Sequence, residues 1–339
     1  MKSTARFLLK LIYIPLILIV CIEVSFLIVG YRPYKNLDYK VRSSPAYPFK
    51  GSEEFGFQLN EGKFNITLNN KVSFTANHSK NGCRVSSNDS NFKLLENTVF
   101  LGCSFTYGYG VNYEETFASK IQAENDDIVV KNYAVPGYGT VQSLLQLPII
   151  LKEKSVSNVV LCISSYHLMR NTLSQEFRSN LRIGFANSSS KIENSMKGAR
   201  FPYVRDTSLQ ILYENWDEIY KNLPLREYLA SVNFIQNTRD RIQDEQIKDI
   251  EITSRMIDEM YRMCQEKGVK FMVVCLDDSE EMSIIEKSLN QIPWLNVSFN
   301  FNSKSLTFLP FDSHPNAKGH SYIHQKVSPF LKEVLAGNE

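Results

Sequence analysis

The sequence predicts an α/β fold, a three-layer sandwich on a five-stranded parallel sheet, and three observations predict it. Short continuous apolar runs (NTVFLGCS from Asn97, DIVVKNYAV from Asp127, SNVVLCISS from Ser157, VKFMVVCL from Val269 and VSFNF from Val297) have the pattern of strands buried on both faces. Helical stretches separate them, near 115–124, 140–154, 249–266, 280–289 and 320–335, giving the βαβ alternation of a parallel sheet. Composition is that of an ordinary globular protein, with 43% apolar and 22% charged residues. The net charge of +2, without any block of basic residues, argues against a nucleic-acid partner.

Element by element, the chain begins with FLLKLIYIPLILIVCIEVSFLIVG, residues 7–30, in which only Lys10 and Glu23 are charged. As a helix these residues would reach about 36 Å, enough to cross a hydrocarbon core of about 30 Å. Residues 1–30 are therefore expected to form a transmembrane anchor, with Lys10 snorkelling and Glu23 entering protonated or reaching for the nearer surface. The following VGYRPYK lacks a small-x-small cleavage site, so the anchor is expected to stay attached. Basic residues flank both ends, Lys2, Arg6 and Lys10 before and Arg32, Lys35, Lys40 and Arg42 after, and do not fix the orientation. The folded domain is expected outside the cytoplasm.

Residues 31–50, rich in Tyr, Pro and Lys without a period, are expected to be a linker. Segments such as KFNITLN and KVSFTANH alternate apolar and polar residues, so 51–96 are expected to form a small β appendage. The α/β domain then runs over 97–339, interrupted by an aromatic-rich insertion at about 170–245. The expected strand order is flavodoxin-like, 2-1-3-4-5, and ligands bind outside the carboxyl ends of such strands.

Two segments could carry chemistry. Ser104 ends the apolar strand in FLGCSFTYGYGV, where a serine can be a helix cap or a nucleophile. Asp312 and His314 bracket one residue in LPFDSHPNAKGH, which can be a polar turn or an acid–base pair. A serine hydroxyl needs an imidazole to take its proton, and the imidazole needs a carboxylate to fix its tautomer. Ser104, His314 and Asp312 supply these three groups. His78, His320 and His324 suit structural or solvent-facing roles. The six cysteines show no CxxC pair or regular spacing and most are expected to be buried thiols, with no metal set and no cofactor implied.

Together these segments resemble the SGNH or GDSL-type hydrolases, with three motifs in the family's order. Gly102-Cys103-Ser104-Phe105-Thr106 is similar to the first block, which implies Ser104 as nucleophile and as one oxyanion donor. NYAVPGYG is similar to the second, which implies that the Gly137 N–H helps form the oxyanion hole; as a sequence, PGYG also reads as a tight turn. Asp312-Ser313-His314-Pro315-Asn316 is similar to the block holding acid and base. The strands ending in NGCRV resemble the β segment that precedes this domain in membrane-linked bacterial members. Three departures are visible. Cys103 stands where the family name implies aspartate and is expected to pack, since it points away from Ser104 along the strand. One residue separates Asp312 from His314, where many members have two. The third block reads SSYHLMRN without its asparagine, leaving Tyr166, His167 or Asn171 to substitute as donor.

The resemblance implies a serine esterase or O-acyl(acetyl)transferase. Its expected substrate is an acyl ester, of a cell-envelope glycan or of a small molecule, with Trp216, Tyr213, Tyr220 and Tyr228 as candidate sugar-packing aromatics. The alternative is a degenerate, non-catalytic envelope protein that binds glycan or a partner subunit.

Overall fold

The computed structural model describes residues 2–35, 40–86, 96–186 and 195–337. They divide into two units, Met1–Asp38 with Tyr220–Gln246, and Tyr39–Ile219 with Ile247–Glu339. The expected insertion is thus split between units.

In the smaller unit the apolar N-terminal run forms one helix, α1 (Lys2–Ile28). Among the described residues no helix is long and apolar enough to cross a membrane. The side chains of residues 2–10 and of Ile12 lie outside that description. Glu23, expected to snorkel or enter protonated, caps the helix Ala230–Glu245 instead. Its carboxylate accepts from the Ala230 N–H, the Ser231 N–H (3.1 Å) and the Ser231 hydroxyl (2.7 Å). Those first-turn N–H groups have no partner inside their own helix. Arg226 is buried in the same unit, donating to Tyr220 Oη (2.7 Å), Asn233 (2.9 Å) and Asn237 (2.7 Å), with its guanidinium 4.1 Å from the Tyr34 ring centre.

The larger unit opens with β1 (Val41–Ser44), β2 (Phe49–Ser52), β3 (Gly56–Leu59), β4 (Gly62–Leu68), β5 (Val72–His78) and β6 (Arg84–Val85). Residues 41–44, expected in a linker, pair antiparallel with β4 instead. Alternation explains these strands: in β5 Val72, Phe74, Ala76 and His78 are buried, while Ser73, Thr75 and Asn77 are not. The parallel strands follow as β7 (Glu96–Leu101), β8 (Ile128–Asn132) and β9 (Val156–Ile163). Between and after them lie α2 (Ser104–Tyr107), α3 (Phe117–Ala123), α4 (Thr140–Ile150), α5 (Tyr166–Asn171) and α6 (Gln175–Ala186). The hairpin β10 (Arg200–Tyr203) and β11 (Leu212–Asn215) precedes α7 (Asp249–Gln265), β12 (Lys270–Cys275), α8 (Glu280–Ser288) and β13 (Trp294–Asn296). The chain ends with β14 (Thr307–Phe308), β15 (Asp312–Pro315) and α9 (Ala317–Ala336).

One sheet of nine strands organises this unit, in the order β1-β4-β5-β6-β8-β7-β9-β12-β13. Its last five strands are parallel and run 2-1-3-4-5, as expected. The final parallel strand lies at 294–296, ahead of the expected VSFNF, where Val297 and Phe299 pack as loop residues in the core. The β segment at 51–96 is no separate appendage: β6 bridges to β8 through Arg84 opposite Asn132, which covers an otherwise open sheet edge. Core residues alternate along the central strands. Leu161, Ile163, Val273 and Cys275 face α4, α7 and α8, while Val160, Cys162, Met272 and Val274 face α3 and α9. Helices therefore cover both faces, and the strand ends that carry Ser104 and Tyr166 open at the carboxyl edge.

Candidate active site

Ser104 stands where β7 gives way to α2, a four-residue helix closed by Gly108 at φ 85°. The approach demands Gly102: it has φ 146°, and a Cβ there would lie 2.6 Å from the Cys162 carbonyl oxygen. Cys103 is fully buried among Phe100, Phe105 and Cys162, the packing role expected of it. Ser104 itself is 5% exposed and is among the residues lining a cavity of about 580 Å³, with Gly137, Tyr166, Asp312, Ser313 and His314.

Asp312 and His314 are held on β15, whose pairing with β14 turns both toward that cavity. With one residue between them along a strand, they fall on the same face. Asp312 Oδ1 accepts from the His314 main-chain N–H (2.7 Å) and lies 2.5 Å from His314 Nδ1. The Asp312 side chain is 4% exposed and that of His314 20%, so the carboxylate is sheltered while the imidazole edge reaches the cavity. The rings of Phe105 and Tyr109 flank the imidazole at 5.2 and 5.1 Å. Burial, and the Asp312 charge after it, push the Tyr109 phenol upward, so it stays protonated. No hydrogen bond joins Ser104 Oγ to His314 among the described residues, and such bonds are often long before substrate binds.

Gly137 occupies the third position of a turn in which the Tyr138 N–H donates to the Val135 carbonyl (3.1 Å), with Pro136 second and Gly137 at φ 88°. That is a type II turn, and the positive φ explains the glycine. The Val135 N–H donates to the Gly102 carbonyl (3.2 Å), tying this turn to the strand that carries Ser104. Gly137 thus forms the tight turn expected of PGYG and is among the residues lining the cavity.

Of the three candidate substitutes for the third-block donor, Tyr166 alone lines the cavity, 39% exposed. His167 is buried with Nδ1 3.2 Å from Thr140 Oγ1, and burial holds its ring well below the usual imidazole range. Asn171 has both ends of its amide engaged, Oδ1 by the Val141 N–H (3.0 Å) and Nδ2 by Thr253 Oγ1 (2.8 Å). Neither His167 nor Asn171 is among the cavity-lining residues, because α5 turns those side chains toward α4 and α7. Gly139 records how closely α5 approaches, since a Cβ there would meet Asn171 Oδ1 at 2.6 Å.

Two arginines were not foreseen as site residues. Arg170 lines the cavity, and its Nη1 donates to the Tyr138 carbonyl (3.0 Å), bracing the Gly137 turn from α5. Arg84 is fully buried and donates to the carbonyls of Tyr107 (2.7 Å), Gly108 (2.6 Å), Val111 (2.6 Å) and Thr75 (3.2 Å). It thereby gathers the carbonyls that close α2 and begin the next loop. His78 adds a second tie from β5, with Nδ1 at 2.9 Å from the Asn60 carbonyl and Nε2 at 2.7 Å from Tyr107 Oη. The sequence signal for Arg84 was a charge on an inward-facing strand position beside Cys83.

Of the candidate sugar-packing aromatics, neither Tyr213 nor Trp216 of the larger unit is among the cavity-lining residues. Trp216 is buried against Phe185 and Phe201, while in the smaller unit Tyr220 Oη donates to Asp240 (2.6 Å). Among the described residues no cluster of His, Cys, Asp and Glu could hold a metal ion.

No protein-family model matches the chain, and no curated protein matches it. Solved structures similar to it include the psychrotrophic esterase EstA from Pseudoalteromonas sp., at TM-score 0.38 and 13% identity, covering 71% of this chain and 98% of that one. A member of the lipolytic G-D-S-L family from Veillonella parvula reaches TM-score 0.37 and 11% identity, covering 68% and 96%. A two-domain esterase active on acetylated mannans gives TM-score 0.37 and 12% identity, covering 71% of this chain and 50% of its own.

Proposed function

We propose that this chain is a serine-dependent esterase of the SGNH/GDSL type, with Ser104 as nucleophile, His314 as base and Asp312 as its orienting carboxylate. The observation that carries the reading is the Asp312–His314 pair, 2.5 Å apart, sharing a cavity with a serine at the carboxyl end of a parallel strand. In the proposed cycle His314 Nε2 takes the proton from Ser104 Oγ as that oxygen attacks the ester carbonyl. The Ser104 and Gly137 N–H groups receive the oxyanion, and one such donor is worth about 3–4 kcal/mol. Collapse breaks the carbon–oxygen bond to the alcohol, which leaves with the proton from His314. Water, or a second hydroxyl in an acyltransferase, then attacks the acyl-serine with His314 as base and frees Ser104. Tyr166, at the cavity's exposed side, is the remaining candidate for a further oxyanion donor.

The proposed substrate is an acyl ester of the cell envelope, with a glycan hydroxyl as alcohol or acceptor. The proposed location is a domain outside the cytoplasm, tethered to the membrane through α1. Support for the tether is the apolar run 7–30 and its formation as a single helix.

A fluorophosphonate probe tests the reaction. The chain is expected to be labelled at Ser104, and Ser104→Ala to abolish labelling. An unlabelled wild-type protein would instead favour the non-catalytic, glycan- or partner-binding reading.

A further inference from the structure

The apolar wall of the cavity says more about the ester than its polar end does. One face of α6 lines it with Phe177, Leu181, Gly184 and Phe185, spaced i, i+4, i+7 and i+8. Phe57 faces them from β3, its ring 5.4 Å from that of Phe185. Phe57 also abuts the Gly137 turn: a Cβ on Gly137 would lie 3.1 Å from Phe57 Cζ. The long apolar wall therefore continues from the turn proposed to hold the oxyanion. His314, which must protonate the departing alcohol, is flanked by Phe105 and Tyr109 instead.

At about 580 Å³ the cavity falls within the roughly 300–1,000 Å³ of clefts that bury most of a mid-sized organic ligand. An acetyl group occupies a small part of that volume and leaves the α6 face wet. Building an apolar face onto a substrate cavity is favourable only if apolar substrate surface covers it.

We infer that the acyl group is an extended aliphatic chain seated along the α6 face, so that the enzyme acts on medium- or long-chain acyl esters in preference to acetyl esters. The inference rests on the serine-esterase reading of the same site. The group left on Ser104 after the alcohol departs is the acyl chain, and the wall beside Gly137 remains its neighbour through both half-reactions.

Gly184 offers a ruler. It sits inside α6 among the cavity-lining residues, and a Cβ built on it meets no atom within 4 Å, so a side chain can start there without a clash at its root. Helix propensity favours the replacement as well.

The experiment compares kcat/KM of the full chain on 4-nitrophenyl acetate, butyrate, octanoate and laurate, which share one leaving group. Each buried methylene can contribute up to about fourfold, so octanoate is expected to exceed acetate by more than about tenfold. Gly184→Leu is expected to move the optimum to shorter chains, and Phe177→Ala to move it to longer ones. A damaged fold lowers every ester together and cannot produce opposite shifts. Wild-type protein that hydrolyses acetate as well as octanoate or better overturns this inference and leaves the esterase reading standing. So does an unchanged chain-length profile in both variants. Wild-type protein that hydrolyses none of the four overturns the esterase reading itself.

Discussion

Arg84→Met removes a buried guanidinium that holds four main-chain carbonyls, three of them at 2.6–2.7 Å. Hydrogen bonds from a charged donor contribute about 1.5–3 kcal/mol each, so the three short ones amount to roughly 6 kcal/mol. Methionine recovers part of this, since burying the guanidinium cost several kcal/mol that the variant no longer bears. It fills similar volume but leaves the carbonyls of Tyr107, Gly108 and Val111 without a donor, at about 1–3 kcal/mol for each that water cannot reach. The balance is an expected loss of about 3–5 kcal/mol, the cost of leaving two or three buried carbonyls without a donor. Urea unfolding followed by intrinsic fluorescence reads it as a midpoint lowered by about 1 M or more, for a slope near 3 kcal/mol per M. Arg84→Lys should fall between the two proteins, because an ammonium cannot reach carbonyls on several sides as the planar fork does. Probe labelling of Ser104 should slow in parallel, since α2 loses its C-terminal anchor. If Arg84→Met unfolds within about 0.3 M of wild type, the guanidinium does not hold this loop and its support of α2 must be abandoned.

Further outcomes are expected. Ser104→Ala and His314→Ala should each remove nearly all ester turnover, and the double variant should be little worse than either, because the two act as a unit; additive losses in steady-state rates would contradict the pairing. Asp312→Asn should cost less than His314→Ala, and Cys103→Ala should leave turnover within about tenfold, or about 1.4 kcal/mol, since Cys103 packs away from the cavity. Burial lowers His78 to about 4 and His320 to about 3, so both fold as neutral rings. The unfolded chain binds these protons first, and stability present above about pH 6.5 is lost as pH falls toward 4, on the order of 3 kcal/mol for His78. His78→Gln should flatten that slope in thermal melts between pH 7 and 4.5, and an unchanged slope would count against it. Deleting residues 1–30 should release the protein from membranes that resist an alkaline carbonate wash, and persistence in the pellet would count against the tether.

The parallel sheet was legible in the sequence because buried strands read as apolar runs, and the crossover helices between them leave few topologies. That Ser104, Asp312 and His314 would meet at one cavity was legible because each sits in a short local motif, and the Gly137 turn because a positive φ after proline calls for glycine. What escaped depended on contacts far apart in sequence. Asn171 could be offered as an oxyanion donor because the partners that engage its amide, Val141 and Thr253, lie 30 and 82 residues away. Glu23 looked like a charge stranded in an apolar run because the helix it caps begins 207 residues later. The linker and appendage were misjudged for a related reason: strands 41–85 declare their alternation locally, but which edge they join is decided by one bridge, Arg84 to Asn132.

That bridge ties the strands at 41–85 to the proposed chemistry. A chain trimmed to begin at residue 97 would keep every residue of the proposed triad and still lack Arg84, His78 and Phe57, which between them grip the far end of α2 and back the Gly137 turn. Removing the segment would take away both the strand beside β8 and the donors that hold the carbonyls closing α2.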